Sequence, residues 1–186
     1  GFGRSLSLRA EINAANIAEV IPDATGSLRG RIAVRGPNDY PDVQFDLAGA
    51  ALAWREYSLE SLSASADISA IKQGTAEVQL GRLTIGTIEL DEAQLSVTGQ
   101  LASHNLRASL RALDTNLGVE ASGGYDRQSW SGQLASLAVD NEALDRWSTV
   151  DPSQLTASSD RLSLSQTCLF GPQDAGKICL SGNVGA

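Results

Sequence analysis

Two cysteines are the residues whose spacing most directly predicts a chemical bond in this 186-residue chain. Pairing Cys168 with Cys179 across a hairpin sets Leu169 opposite Ile178. Directly opposed residues of antiparallel strands lie about 4.5 to 5.5 Å apart at Cα, a separation that a disulfide accepts. We therefore predict a disulfide, which is typical of an oxidising compartment such as a periplasm. Two reduced structural thiols are the alternative.

The stretch between these cysteines has the glycine and lysine spacing of a phosphate-binding loop. Gly171, Gly176 and Lys177 match that spacing. However, Ile178 stands where Ser or Thr would hold Mg²⁺, and the residues that follow read as a strand rather than a helix. A hairpin turn over Gly171–Gly176 is therefore the better interpretation.

Residues suited to catalysis or metal binding do not form a recognisable set. The single histidine, His104, lies between Ser103 and Asn105, and no nucleophile-elbow motif accompanies it. We interpret it as a surface or turn residue. One histidine and two strand-paired cysteines do not complete a four-ligand zinc site. The sequence therefore predicts a protein that is not an enzyme, with no cofactor and no metal.

Three tryptophans are the remaining candidates for ligand contact. Trp54, Trp130 and Trp147 would suit a sugar-binding platform, because aromatic rings present large apolar faces. We favour the interpretation that they fill the ends or wide points of an aliphatic core.

Charge and hydropathy exclude further classes. The net charge of −8 argues against nucleic-acid binding, which depends on Lys and Arg neutralising phosphates. No apolar run approaches the roughly 18 to 20 residues that span a bilayer as a helix. The chain has no signal peptide and no methionine, and it begins Gly-Phe-Gly, so we expect an excised piece of a longer protein.

The element that must position all of these residues is the antiparallel strand. Apolar and polar residues alternate in short runs such as Arg31–Arg35, Val43–Leu47 and Ala93–Val97. Successive strand side chains point to opposite faces, so each run has one apolar and one polar face. The predicted strands cover Ser5–Ile12, Ser27–Arg35, Asp42–Trp54, Ser58–Ser69, Thr75–Thr84, Thr87–Gly99, Asn105–Ala112, Leu117–Tyr125, Trp130–Val139 and Gln154–Gln166, followed by the cysteine hairpin.

Only two short helical turns are expected, one within Ala14–Ile21 before Pro22 and one at Asn141–Trp147 before Pro152. No long amphipathic helix is available to cover the apolar side of the strands. The sheet must therefore bury that side against itself or against a ligand. A single all-β domain over residues 1–186 follows; a curled open groove, a closed barrel and a sandwich all remain compatible with the alternation.

The order of several motifs resembles the TamB family, the inner-membrane subunits of the bacterial translocation and assembly module. The matching stretches are Ile17–Gly30, Gly36–Pro41, Thr98–Leu106, Gly124–Leu137, Trp147, Pro152–Leu155 and the cysteine hairpin. The resemblance covers most of the chain and rests on the order of motifs that are individually degenerate.

The resemblance implies a periplasmic β-taco, in which long curved strands fold into a hydrophobic trough that bridges the inner and outer membranes. It also implies that the full-length protein is anchored in the inner membrane and works with the outer-membrane barrel protein TamA. Compared with the full family pattern, we expect this sequence to be without the N-terminal anchor and the segment that meets TamA, so the resemblance does not assign these residues a role in binding that partner.

The leading functional hypothesis is a non-enzymatic conduit whose aliphatic groove holds phospholipid acyl chains and supports outer-membrane assembly. An alternative is a scaffold whose strand edges pair with client β-strands of outer-membrane barrels or autotransporters. A polysaccharide-active β-helix enzyme ranks last, because the strand spacing is too uneven. The residues predicted to line the groove are Ile32, Val34, Val43, Phe45, Leu47, Val78, Leu80, Leu95, Val97, Leu106, Leu110, Leu117, Val119, Leu162 and Leu164.

Overall fold

The computed structural model describes residues 5–38, 41–69, 73–126, 128–172 and 176–185. Over these residues the protein is almost entirely antiparallel β-sheet, with fifteen strands and one 3₁₀ turn. The all-β prediction is confirmed. Contacts divide the chain into two compact units, residues 1–100 and 101–186. The single domain expected over residues 1–186 stays a prediction.

The first unit contains the 3₁₀ turn Ile17–Glu19 and eight strands. The strands are β1 (Ser5–Ala14), β2 (Ala24–Pro37), β3 (Asp42–Trp54), β4 (Tyr57–Ile68), β5 (Gly74–Leu80), β6 (Leu83–Ile85), β7 (Ile88–Leu90) and β8 (Glu92–Gln100). Strands β1 to β5 pair in chain order, and β5 pairs on its other side with β8. The short hairpin of β6 and β7 attaches to β4.

The second unit contains the remaining seven strands. They are β9 (Ser103–Ala112), β10 (Thr115–Asp126), β11 (Ser129–Asn141), β12 (Asp145–Thr149), β13 (Ser153–Ser158), β14 (Arg161–Phe170) and β15 (Lys177–Gly185). Strands β9, β10 and β11 pair in chain order. Both β12 and β13 then pair with β11 on one side and with β14 on the other, and β14 pairs with β15.

The first predicted helical turn is confirmed as the 3₁₀ turn Ile17–Glu19. Asn16 caps it, because the side-chain oxygen of Asn16 accepts a hydrogen bond from the backbone N–H of Ala18 at 3.1 Å. Asparagine is favoured at this position since it satisfies a backbone donor that has no partner within the turn.

The second predicted helical turn, at Asn141–Trp147, is wrong. The side-chain oxygen of Asn141 accepts hydrogen bonds from the backbone N–H groups of Ala143 and Leu144 at 2.9 and 3.2 Å. This local bonding makes a tight turn instead of a helix, and β12 begins at Asp145.

Three predicted strands are each divided in the structure. The predicted strand Thr75–Thr84 becomes β5 and β6, which are separated by Gly81 and Arg82. Thr87–Gly99 becomes β7 and β8, which meet at Asp91. The two divisions lie opposite each other. Strand β5 pairs with β8 and β6 pairs with β7, so both sides of this hairpin bend at the same point.

The third divided strand, Gln154–Gln166, turns back on itself to form β13 and β14. The hydroxyl of Ser158 donates a hydrogen bond to Asp160 at 2.7 Å and accepts one from the backbone N–H of Arg161 at 3.1 Å. The hydrogen bond from Ser158 lowers the pKa of the exposed Asp160 carboxyl. A serine that bonds its own turn in this way favours a reversal over a continuous strand.

The cysteine hairpin is confirmed. Cys168 and Cys179 are directly opposed on β14 and β15 and form a disulfide. Leu169 lies opposite Ile178, as the spacing predicts. Within the predicted turn, Gly171 donates its backbone N–H to the carbonyl of Gly176 at 3.0 Å, and residues 173–175 lie outside the described part of the chain.

Candidate functional site

The strand register of the first unit collects the predicted groove residues on one face. Directly opposed residues of neighbouring strands point to the same side of a sheet, so each row of opposed residues can be followed across the unit. One row runs through Ala10, Ile32, Phe45, Ala66, Ala76 and Val97. The next runs through Ile12, Gly30, Leu47, Ala64, Val78 and Leu95. Flanking rows contain Val34 with Val43, and Leu62 with Leu80.

All nine predicted groove residues of this unit therefore lie on the same face, which we call the first apolar face. The residues between them point the other way. The row of Glu11, Arg31, Asp46, Ser65, Glu77 and Ser96 is polar throughout. Its alternating charges at directly opposed positions are favourable cross-strand pairs. The separation of apolar from polar residues is therefore complete along these rows.

The second unit repeats this arrangement in its own strands. Leu110 opposes Leu117, which opposes Val139, and Val139 in turn opposes Trp147. A second row of directly opposed residues on this side contains Leu106, Ala121 and Leu134. Leu162 and Leu164 of β14 oppose Ala157 and Leu155 of β13, respectively. Ala157 and Leu155 in turn oppose Trp130 and Gly132 of β11, so these residues lie on the same side. The six predicted groove residues of this unit share what we call the second apolar face.

Neither apolar face is buried as a closed core would be. None of the fifteen predicted groove residues is in the buried class; thirteen are half-buried, whereas Leu95 and Leu162 are 37% and 49% exposed. In a packed core, residues such as Val, Leu and Phe are usually the most fully buried. The buried apolar residues of the described chain are mostly small: Ala24, Ala64, Ala66, Ala121, Leu134 and Leu169.

The first apolar face continues past a bend in β3. Ala51 has a φ of 49°, and opposite it Gly26 of β2 has a φ of 103°, where the β2–β3 register shifts by one residue. After this bend, a Cδ atom of Leu52 lies 2.8 Å from the position that a Cβ on Gly49 would occupy. Leu52 and Gly49 therefore lie on one face although they are three positions apart, an offset that places residues of a regular strand on opposite faces.

The ring of Trp130 lies over Gly123 and Gly132 on the second apolar face. Its indole N–H donates a hydrogen bond to Nε2 of His104 at 2.8 Å. A Cβ added to Gly123 or Gly132 would lie 2.6 or 2.7 Å from its ring atoms, so the two glycines make room for the ring. His104, interpreted from the sequence as a surface or turn residue, is instead half-buried within β9.

Gly132→Ala is expected to destabilise the protein by about 1 to 3 kcal/mol, the usual cost of overpacking. The new Cβ would lie 2.6 Å from the Cα of Gly123 and 2.7 Å from Cη2 of Trp130. Gly118→Ala is the matched control, because nothing lies within 4 Å of its added Cβ and Ala in a compatible backbone is neutral or stabilising. Urea denaturation measures both variants, and equal midpoints for the two would contradict this account.

The described residues contain no group of three or more His, Cys, Asp or Glu side chains that could hold a metal ion. Within the same residues, no helix has both the length and the hydropathy needed to cross a bilayer. The site that the structure does display is therefore the pair of apolar faces.

Comparison with known proteins identifies similar chains. The family model described as the TamB N-terminal domain matches residues 2–186. The translocation and assembly module subunit TamB of Haemophilus influenzae is 24% identical over 132 residues, which cover 68% of this chain and 10% of that protein. The chain thus spans about a tenth of the length of this curated relative. No solved structure matches.

Proposed function

Because the chain belongs to the TamB family, we propose that its two apolar faces hold the acyl chains of phospholipids as part of a periplasmic bridge between membranes. In this proposal the chain is one segment of a longer, non-enzymatic β-groove of the translocation and assembly module, whose full-length protein is anchored in the inner membrane. Its contribution to outer-membrane assembly, and the partnership of the full-length protein with TamA, belong to the same proposal.

The observation that supports this function is the half-exposure of an aliphatic face in each unit. Apolar surface in contact with water is unfavourable by roughly 25 cal/mol per Å². An acyl chain laid on such a face removes water from both partners at about 0.8 kcal/mol for each buried CH₂ group. Several such groups hold a lipid, and the lack of directional contacts lets it slide along the face.

A second candidate function is supported by the strand edges. Among the described residues, β1 pairs only with β2, and β15 pairs only with β14. Unpaired backbone N–H and C=O groups on such strands can accept a further strand, as a scaffold for outer-membrane barrel or autotransporter proteins would require. This function depends on backbone pairing, so a proline in β1 would disrupt it more than a charge on an apolar face.

The protein expressed in a bacterial periplasm is expected to copurify with phospholipid. Native mass spectrometry in detergent-free buffer, followed by organic extraction and lipid analysis, measures the bound lipid. A protein mass without adducts and an extract without phospholipid would contradict the lipid function, and the strand-edge scaffold would then be the function to test.

A further inference from the structure

A separate cavity of about 350 Å³ lies at the end of the first unit next to the 3₁₀ turn. Its lining comes from the 3₁₀ turn, the residue Ile21 that follows it, and strands β2, β3, β4 and β6. It includes Ile17, Ile21, Leu52, Trp54, Leu59 and Leu83. None of the lining residues is charged. Its size falls within the range of small-molecule sites, about 300 to 1,000 Å³, and its lining suits hydrocarbon.

This cavity continues from the first apolar face. Leu52 lines the cavity and, because of the bend at Ala51, also packs over Gly49 at the end of that face. Leu52 and Leu59 are directly opposed, as are Leu59 and Leu83. A chain lying along the face can therefore extend into the cavity without crossing a polar row.

The guanidinium group of Arg55 lies beside the cavity. Trp54 and Tyr57, which both line it, have ring centroids 6.2 Å apart and nearly parallel planes. The guanidinium carbon of Arg55 lies 4.3 Å from the centroid of the Trp54 ring, a cation–π contact. Arg55 forms no ion pair with any residue that the structure describes. Its charge therefore remains available to an anion beside an apolar cavity.

We propose that this cavity binds the part of one acyl chain nearest the glycerol of an anionic phospholipid, whose headgroup phosphate pairs with Arg55. The proposal rests on the proposed function and extends it, because an open apolar face alone does not distinguish anionic from zwitterionic lipids. The second acyl chain lies on the first apolar face. The chemistry that selects the ligand is an apolar cavity beside one fixed guanidinium.

The first test measures headgroup preference. The protein is incubated with vesicles containing equal amounts of phosphatidylglycerol and phosphatidylcholine with identical chains, and the bound lipid is counted by native mass spectrometry. We expect wild type to favour phosphatidylglycerol about threefold, the size expected of one exposed ion pair. Arg55→Gln should bind the two lipids equally, because phosphatidylglycerol loses its ion pair while the binding of phosphatidylcholine does not change. Arg146→Gln, another exposed arginine next to a tryptophan, is the matched control and should keep the preference.

The second test locates the acyl chain. Phosphatidylglycerol with bromine on the part of its chains nearest the glycerol quenches tryptophan fluorescence only at contact distance. Wild type should lose more fluorescence than Trp54→Phe, because Trp54 forms part of the cavity wall. Trp130 and Trp147, which lie on the second apolar face, provide the signal that remains in the variant.

The outcomes separate the two proposals. If lipid binds without headgroup preference and quenches the tryptophan fluorescence of wild type and Trp54→Phe equally, the cavity assignment is overturned and the lipid function stands. No bound lipid at all would overturn both. A preference that Arg55→Gln does not change would also overturn the assignment of the headgroup to Arg55.

Discussion

Replacing Val78 and Leu95 together with aspartate is expected to strip bound phospholipid from the first apolar face. The two residues are directly opposed on β5 and β8, the last two strands across that face. Covering an unpaired carboxylate with an acyl chain costs several kcal/mol, which exceeds the gain from the few CH₂ groups that contact it. We expect binding at this face to weaken at least about tenfold, since each 1.4 kcal/mol changes an equilibrium by that factor. The lipid extracted per mole of protein should then fall to the amount that the second apolar face holds.

The matched control places the same two charges on the other side of the same two strands. Gln79 and Gln94 are directly opposed on β5 and β8, so Gln79→Asp with Gln94→Asp creates an equal like-charge pair on the polar face. Far-UV circular dichroism should show that both double variants fold. Lipid retained at the wild-type level in Val78→Asp with Leu95→Asp, or lost equally in the control, would exclude the first apolar face as the binding surface.

Removing the disulfide is expected to loosen the last hairpin by about 3 kcal/mol, the chain-entropy value for a loop of this length. All nine residues of β15 are exposed, and β15 pairs only with β14 in the described structure. The disulfide between Cys168 and Cys179 thus cross-links this exposed strand to β14. In Cys168→Ala with Cys179→Ala, amide hydrogen exchange of β15 should accelerate about a hundredfold, as 3 kcal/mol implies.

Reductant supplies the control for this comparison. It should accelerate exchange of β15 in wild type and leave the double-alanine variant unchanged, because the variant has no disulfide to break. Exchange in β1, at the far edge of the first unit, should be the same in both proteins. Equal exchange of β15 in oxidised wild type and in the variant would show that the disulfide does not hold this strand.

The alternation of residues was sufficient to predict an all-β chain and which residues of a strand share a side. Side-chain direction in a strand depends only on position within it, so a run such as Val43–Leu47 assigns its own residues to faces before any partner strand is known. The cysteine hairpin was predictable for the same reason, because opposed positions follow from counting outward from a turn. Neither prediction required knowledge of which strands pair with one another across the sheet.

The bends and the cavity could not be predicted in this way. The residues from Leu47 to Leu52 are all apolar or glycine, so the alternation gives no sign that it shifts by one at Ala51. The division of Gln154–Gln166 depends on a serine that bonds its own turn, and such serines also occur within strands. The cavity combines residues of β2, β3, β4, β6 and the segment around the 3₁₀ turn, and the position of Arg55 beside it depends on how these elements pack.

Pairing in chain order makes the start of the first unit modular. From β1 to β3, each strand pairs only with the strands before and after it in the chain, whereas β4 also pairs with β6 and β5 pairs with β8. The stability of β1 to β3 therefore approximates a sum of neighbour terms, as in repeat proteins. Adding one whole hairpin before β1 would leave every existing pairing of the unit in place, so duplication can change the number of strands without redesign of the fold.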